Sequence, residues 1–433
     1  MRRALFTLAL LVAPVACGDD ADASAGGGGQ APWTGGAGGL GGADALGGGG
    51  AGGAPTGGGG SGGGAPSELD QLLARLRADL EGTLLEESTA RGWPVALAEG
   101  HVVVSTSGSL DHVAGDFNDW TPAPLTEDDG FYWAVVPAAP GERYKLANGV
   151  DTYLPDPWSR GYAYDPFGEL SLVPGPDAHL ERFFEVGAGE SSLEPRTVRV
   201  FVPGEPATHV LYVHDGQNLF DPNAIWGGWH LDESAPPGVM LVGIDNTSAR
   251  MDEYTHVADD IGQLIGGSGD EYAAFVQEVV RPLVEAELGE PAIVGTMGSS
   301  LGGLISLHIG LSYPDQYDFV GSLSGTLGWG SIGPHTGETL IERYDAAPVQ
   351  PFVIYLDSGG DAGACADLDA DGIEDDVDSG DNYCENIQMR DVLAANGYVF
   401  DDNLHHWHEP GAAHNEAAWA ARVFRPLAIF AAL

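Results

Sequence analysis

Apolar residues repeat along this chain with different periods, and the changes of period divide it into segments. Residues 67–87 place Leu69, Leu72, Leu73, Leu76 and Leu80 at helical spacing. Ser67 stands ahead of them as a cap, with acids in the first turn, which predicts a helix within residues 67–91. Its leucine stripe is expected to pack against the domain that follows. From Gly92 to about Pro174 the pattern shortens to alternating strands (101–105, 113–120, 131–136, 142–146) broken by Gly, Pro and Asp, so residues 92–176 read as a small β-sandwich. From residue 190 to 433, almost continuous apolar runs (197–202, 209–214, 239–244, 292–294, 352–356) alternate with amphipathic stretches such as 272–288. Strands that are apolar at nearly every position are covered on both faces. Their alternation with helices predicts a mainly parallel sheet with helices on both sides. Residues 18–66 are dominated by Gly, Ala and Ser. Such a tract buries too little apolar surface to offset the entropy of ordering it, and it reads as a disordered tether.

Residues 1–17 carry Arg2 and Arg3 ahead of a short apolar stretch, the arrangement of an export signal and too short to span a bilayer. Val15-Ala16-Cys17 resembles a bacterial lipobox, with Cys17 as the lipidated first residue of the mature chain. Pro14 stands where leucine is usual, and ordinary cleavage after a small residue is the alternative. The expectation is an exported protein, lipid-anchored to the bacterial cell envelope or surface, that meets a membrane only through its anchor. The charge balance adds an exclusion. With 17 basic against 64 acidic residues, a net −47, the folded surface is not expected to bind nucleic acid or an anionic membrane.

The chemistry is concentrated at residues 292–303, where a short apolar run enters Gly298-Ser299-Ser300-Leu301-Gly302 and an apolar stretch of helical length follows. Strand, sharp turn and helix make the context of a nucleophile elbow, with Ser300 at its tip, and this makes the sheet that of an α/β-hydrolase. A free hydroxyl is a poor nucleophile. It needs a general base within hydrogen-bond reach and a third group to orient that base. In this fold the chain order is Ser, acid, His. The base is therefore expected near the C-terminus, and His414, in a small-residue loop opening a helix, is the candidate. His405, His406 and His408 alternate in a strand-like run and read as structural.

Four motifs occur in order: His214-Asp215-Gly216-Gln217-Asn218-Leu219-Phe220; Gly243-Ile244-Asp245-Asn246 with Arg250 and Glu253-Tyr254; the elbow; and Gly411-Ala412-Ala413-His414 with Trp419. Together they resemble the esterase D-type branch of α/β-hydrolases, which holds enterochelin esterases, feruloyl esterase domains and mycolyltransferases. The resemblance implies that Ser300 is the nucleophile, that His414 is the base, and that the amides of Leu301 and Gln217 form an oxyanion hole. It places the acid after the strand that precedes the last helices. Asp381, just ahead of a helix expected at 385–396, fits best, with Asp361 and Asp357 as rivals. Upstream, the Gly115-Asp116-Phe117-Asn118-Asp119-Trp120 motif, the later Tyr144-Lys145 and the closing Asp156-Pro157 resemble carbohydrate-binding family 48 immunoglobulin-like domains and the N-terminal domain of enterochelin esterases. Trp120, Trp133 and Trp158 are then the candidates for stacking on sugar, with Trp133 read as core. Many such domains only brace a catalytic neighbour.

An acidic insertion at 361–380 interrupts the esterase pattern. Asp367, Asp369, Asp371, Ile373, Asp375 and Asp378 fall at positions 1, 3, 5, 7, 9 and 12 of a calcium loop, with Gly372 at position 6. The expectation is a structural Ca²⁺ and no cofactor for catalysis. Cys365 and Cys384 bracket this loop and, with Cys17 lipidated, are the remaining pair, so export makes a disulfide between them reasonable. The sequence thus predicts an exported serine esterase acting on acyl or feruloyl polysaccharide esters, or on siderophore-type esters. The alternative is a non-catalytic surface glycan-binding lipoprotein on a degenerate hydrolase scaffold.

Overall fold

The computed structural model describes residues 65–376 and 379–433. The expected export signal with Cys17, the tether up to residue 64, and Asp378 lie outside the described residues.

Two helices open the folded part, α1 (Glu68–Ala78) and α2 (Leu80–Ala90), where the leucine spacing predicts one. Asp79 makes the break. Its backbone is extended (φ −153°, ψ 95°), and its carboxylate accepts the Gly82 amide at 3.1 Å, ending one helix and capping the next. A short acidic side chain competes in this way with helical hydrogen bonding. Leu72, Leu73, Leu76 and Leu84 are buried against Trp93, Val95, Val102, Val104 and Phe131.

Those partners, apart from Trp93 just ahead of it, belong to a small antiparallel sheet of Val95–Leu97, Gly100–Ser105, Phe131–Val136 and Thr126–Asp128, paired in that order. Its other face meets a second antiparallel layer containing Gly161–Asp165, Gly168–Leu172, Arg143–Ala147, His112–Gly115 and Ala123–Pro124. The period of two divides the labour: Val102 and Val104 face the helices, while Val103 joins Val113, Val136, Tyr144, Leu146 and Val173 between the layers. Asp156 is fully buried here. It accepts from the Tyr144 hydroxyl and the Trp158 amide, each at 2.9 Å, and burial raises its carboxyl to about 6.

The central sheet comprises β1 (His179–Val186), β2 (Arg196–Val202), β3 (His209–His214), β4 (Val239–Ile244), β5 (Ile293–Ser299), β6 (Phe319–Leu323), β7 (Val353–Ser358) and β8 (Leu404–His408). Its order is β1-β2-β4-β3-β5-β6-β7-β8. β2 is antiparallel to both neighbours, and the strands from β4 to β8 run parallel. Every residue of β4 and β6 is buried, because separate apolar clusters pack on the two faces of the sheet. β1 also pairs with Gly161–Asp165, matching Leu180 to Tyr162, so the sandwich layer and the central sheet are one continuous ladder. The amphipathic stretch expected as one helix at 272–288 is an unbroken helical run over 269–288, with a π-turn at Val276–Val280 between Gly269–Phe275 and Arg281–Leu288.

Candidate active site

β5 ends at Ser299, and the helix α3 (Leu301–Ser312) begins two residues later. Ser300 between them has φ 55° and ψ −125°, a conformation L-residues rarely adopt. The close approach of strand and helix explains the glycines. A Cβ on Gly298 would lie 2.6 Å from the Gly302 carbonyl carbon, and one on Gly303 would lie 2.4 Å from Ser322 Oγ. The Ser300 amide is tied to the Leu323 carbonyl at 2.9 Å, and its hydroxyl lies 3.4 Å from Thr326 Oγ1.

His414 lies in the loop between β8 and α5 (Glu416–Ala420), with its ring edge-on to Trp419 at a centroid distance of 5.0 Å. Its Nδ1 is 2.6 Å from Asp381 Oδ1. Asp381 and Asn382 both have positive φ (59° and 57°) at the mouth of α4 (Tyr383–Asn396). The second Asp381 oxygen accepts from Ser324 Oγ at 2.6 Å, from the Gly359 amide, and from Arg422 Nη2 at 3.4 Å. Asn382 Nδ2 donates to Thr326 Oγ1 at 3.2 Å and to the Ser324 carbonyl at 2.9 Å. A hydrogen-bonded path therefore runs from Ser300 through Thr326 to Asn382, the neighbour of the carboxylate facing His414.

Of the three candidate carboxylates, the fold brings Asp381 to His414. Asp357 is fully buried on β7 and belongs to another partner: Arg422 Nε at 3.1 Å and the Tyr355 hydroxyl at 2.9 Å both donate to it. Burial raises its carboxyl above the ordinary range, against the pull of Arg422. Asp361 is exposed. Neither hydrogen-bonds His414 among the described residues.

The loop after β3 forms the facing wall. His214 is core: burial lowers it to about 3, and its ring contacts the Tyr272 hydroxyl at 2.9 Å and Thr296 Oγ1 at 3.2 Å. Asp215 (φ 61°) is clamped by Arg250, Nε and Nη2 each at 2.7 Å, and by Asn246 Nδ2 at 2.6 Å. Burial opposes its ionisation, yet the Arg250 guanidinium outweighs it and holds the carboxyl below the usual range. The Asn246 amide donates to Gln217 Oε1 at 3.1 Å. Asn218 Nδ2 donates to Glu416 Oε1 at 3.2 Å, joining this loop to the turn after His414. Among the described residues the Leu301 and Gln217 amides donate no hydrogen bond to the protein.

The insertion folds as a ribbon of Cys365–Ala366 with Asp375–Asp376, linked to α4 by the Cys365–Cys384 disulfide. Carboxylate oxygens of Asp367, Asp369 and Asp371 lie within 4.8 Å of one another. The donor set is all hard oxygen, which suits Ca²⁺. Asp367 also accepts the Asp371 and Gly372 amides at 3.0 and 3.1 Å, and Asp371 accepts from Ser331. Asp375 Oδ2 instead accepts the Leu368 amide at 2.9 Å.

Sequence reasoning missed Thr326, Ser324, Arg422 and Glu416. Each acts across gaps of tens of residues, and no local spacing announces such a contact. The one signal available was the Ser324-Gly325 pair ending an apolar run, which marks a strand end beside the elbow.

An elbow serine at the end of β5, in a sheet ordered β1-β2-β4-β3-β5-β6-β7-β8, defines an α/β-hydrolase. Residues 190–429 match the family described as "Putative esterase", and the chain belongs to that esterase family. It is 33% identical over 124 residues to the uncharacterized protein YbbA of Bacillus subtilis (strain 168), covering 27% of this chain and 49% of that one. The chain thus spans about half the length of that curated relative. Similar solved structures include an IroE-like serine hydrolase from Shewanella oneidensis (19% identity, 59% and 80% of the two chains, TM-score 0.44). The ferric enterobactin esterase of Salmonella typhimurium is another (14%, 80% and 98%, 0.43). The siderophore hydrolase EstA of Aspergillus nidulans is a third (17%, 58% and 94%, 0.40).

Proposed function

We propose that this protein is a serine esterase that hydrolyses carboxylic esters through an acyl-enzyme. The observation that carries the reading is an elbow serine at the end of β5 in one chain with a His414–Asp381 hydrogen bond of 2.6 Å, in the order Ser, acid, His that this fold uses. Ser300 Oγ attacks the ester carbonyl, and His414 Nε2 takes the hydroxyl proton. Asp381, held by Ser324 and Arg422, fixes the imidazole with Nδ1 protonated and stabilises the imidazolium as it forms. The tetrahedral oxyanion lies against the Leu301 and Gln217 amides, and losing one such donor costs about 3–4 kcal/mol in the transition state. Collapse releases the alcohol with the proton from His414. Water, deprotonated by the same imidazole, then attacks the acyl-serine and frees the acid. p-Nitrophenyl acetate hydrolysis by wild type and Ser300→Ala tests this; equal rates from the two would end the enzyme reading.

The substrate classes that fit the motif resemblance are acyl or feruloyl esters on polysaccharide and siderophore-type esters. The protein is exported and lipid-anchored through Cys17 on this reading, which radiolabelled palmitate incorporation into wild type but not Cys17→Ala checks. The two-layered β unit serves as a family 48-like brace. Trp120, Trp133 and Trp158 are all half-buried, and Trp120 Nε1 donates to Asp116 at 2.9 Å, which favours a bracing role over sugar stacking. Glycan pull-down by residues 66–433 on xylan or starch is expected to be negative. The acidic insertion holds Ca²⁺ through Asp367, Asp369 and Asp371, with the Ile373 carbonyl, Asp375 and Asp378 completing the loop. The ion's role is to offset repulsion among these carboxylates.

A further inference from the structure

The turn Ile225–Gly227 follows the Gln217 loop and carries the two bulky apolar residues of this region that are not buried. Trp226 is 64% exposed and Ile225 is 50% exposed, whereas Leu219, Phe220, Trp229 and Leu231 around them are at most 3% exposed. Trp226 also has left-handed backbone (φ 55°, ψ 21°). For a bulky aromatic residue that is a genuine outlier, of the kind that collects at ligand sites. The surrounding turn enforces it: Ala224 N–H bonds Asp221 O at 3.0 Å, Gly227 N–H bonds Ala224 O at 2.9 Å, and Gly228 N–H bonds Ile225 O at 3.1 Å. Among the described residues the indole itself has no hydrogen-bond or ring partner.

The location is specific. The turn packs against α5, which starts two residues after His414. Trp229 packs tilted against Trp419 with ring centroids 6.0 Å apart, and Trp419 meets the His414 ring at 5.0 Å. The Trp229 amide is tied to the Asn218 carbonyl at 2.9 Å, so the same turn is fixed to the Gln217 loop. The turn that carries Trp226 therefore lies where that loop and the helix after His414 meet. Acidic residues outnumber basic ones along this stretch of the chain. Residues 216–249 contain Asp221, Asp232 and Glu233, an Asp245 that is paired with Arg199 at 2.8 Å, and no lysine or arginine, and Glu416 borders them from α5. Arg250, the next cation along the chain, is engaged by Asp215.

We propose that Trp226 is the specificity-determining platform for a flat, uncharged ring of the ester, so that neutral aromatic esters are preferred over anionic ones. The proposal rests on the serine esterase reading and names the substrate class of that site. An indole face offers a ring dispersion and stacking that an aliphatic chain matches poorly, and the acidic surroundings repel a carboxylate or an anionic iron complex.

Steady-state kinetics on methyl cinnamate, 1-naphthyl acetate, methyl butyrate and methyl 4-carboxycinnamate test it, using wild type, Trp226→Ala, Trp226→Phe and Trp226→Gly. For the two neutral ring esters, Trp226→Ala is expected to raise KM about tenfold with kcat nearly constant, and Trp226→Phe to restore most of the loss. Methyl butyrate kinetics stay unchanged, and methyl 4-carboxycinnamate is a poorer substrate than methyl cinnamate for wild type. The cinnamate and naphthyl arms tell whether the ring sits on the acyl or the alcohol side. Trp226→Gly, which permits the left-handed backbone, is expected to raise Tm while losing the ring preference. An unchanged ratio of ring to ringless kcat/KM in Trp226→Ala, or a wild-type preference for the anionic ester, overturns the proposal. If methyl butyrate hydrolysis still depends on Ser300, the esterase reading survives that result; if no ester is turned over in a Ser300-dependent way, the esterase reading itself has failed.

Discussion

At the residue scale the site depends on how one carboxylate is held. Asp381 gives one oxygen to His414 and the other to Ser324, Gly359 and Arg422. Asp381→Asn keeps the shape and removes the charge that favours the reactive tautomer, so kcat should drop by about 10³–10⁴ with KM little changed. A small kcat effect would move the acid's role elsewhere. Arg422 is buried between Asp357 and Asp381. Arg422→Met strands buried carboxylates and is expected to lose about 3–5 kcal/mol in urea unfolding. Adding Asp357→Asn should recover part of that loss, and a double variant no better than the single one would contradict the pairing. The turn at Ser300 and the late loop with His414 could be located because an elbow has a local signature and the fold fixes the order of the elements after it. The acid was harder to locate. Three aspartates lie within a short stretch around a disruptive insertion, and only backbone path decides which reaches the imidazole.

At the scale of elements, periodicity located the strands well and the helix ends poorly. β3 and β4 are apolar at almost every position, and such runs admit few other readings. The break at Asp79 and the π-turn at Val276–Val280 went unseen because a capping carboxylate or one wider turn leaves the apolar stripe nearly in phase. Asp79→Ala should cost about 1 kcal/mol in chemical denaturation, as loss of a helix cap does. The sandwich layers carry a pH effect. Asp156 titrates at about 6 in the fold against an ordinary 3.8, so the folded state binds more protons than the unfolded one between those values. Stability from this group is then full below about 4, declines as pH rises towards 6, and levels off beyond; the loss is about 3 kcal/mol at most. Asp156→Asn should flatten the pH 4–6 slope of the denaturation midpoint relative to wild type. Parallel slopes would mean that Asp156 does not titrate there.

For the whole molecule, the insertion and its disulfide are expected to act on stability. Cys365 and Cys384 are 19 positions apart, and opening that loop by reduction should cost about 3 kcal/mol in the chain-entropy model. If Ca²⁺ occupies the Asp367–Asp369–Asp371 cluster, a hundredfold excess over its Kd adds about 2.7 kcal/mol. Millimolar CaCl₂ should therefore raise Tm for wild type and not for Asp369→Asn; an equal response in both would remove the ion from this loop. The clustering of Asp367, Asp369 and Asp371 was readable, because alternate acids in a tight loop bring their carboxylates together. The union of the sandwich layer with the central sheet was not, since strand pairing between distant segments leaves no periodic trace.

That union has a practical consequence for anyone who wishes to trim the chain. β1 is hydrogen-bonded to Gly161–Asp165 on one side and to β2 on the other. A shortened chain begun at residue 190 would lose β1 and leave the outer edge of β2 bare, ready to pair with another copy of itself. Calorimetry on residues 66–433 should accordingly show a single peak, and the shortened piece should precipitate. The upstream layers are then less an accessory than the selvedge that keeps the catalytic fabric from fraying.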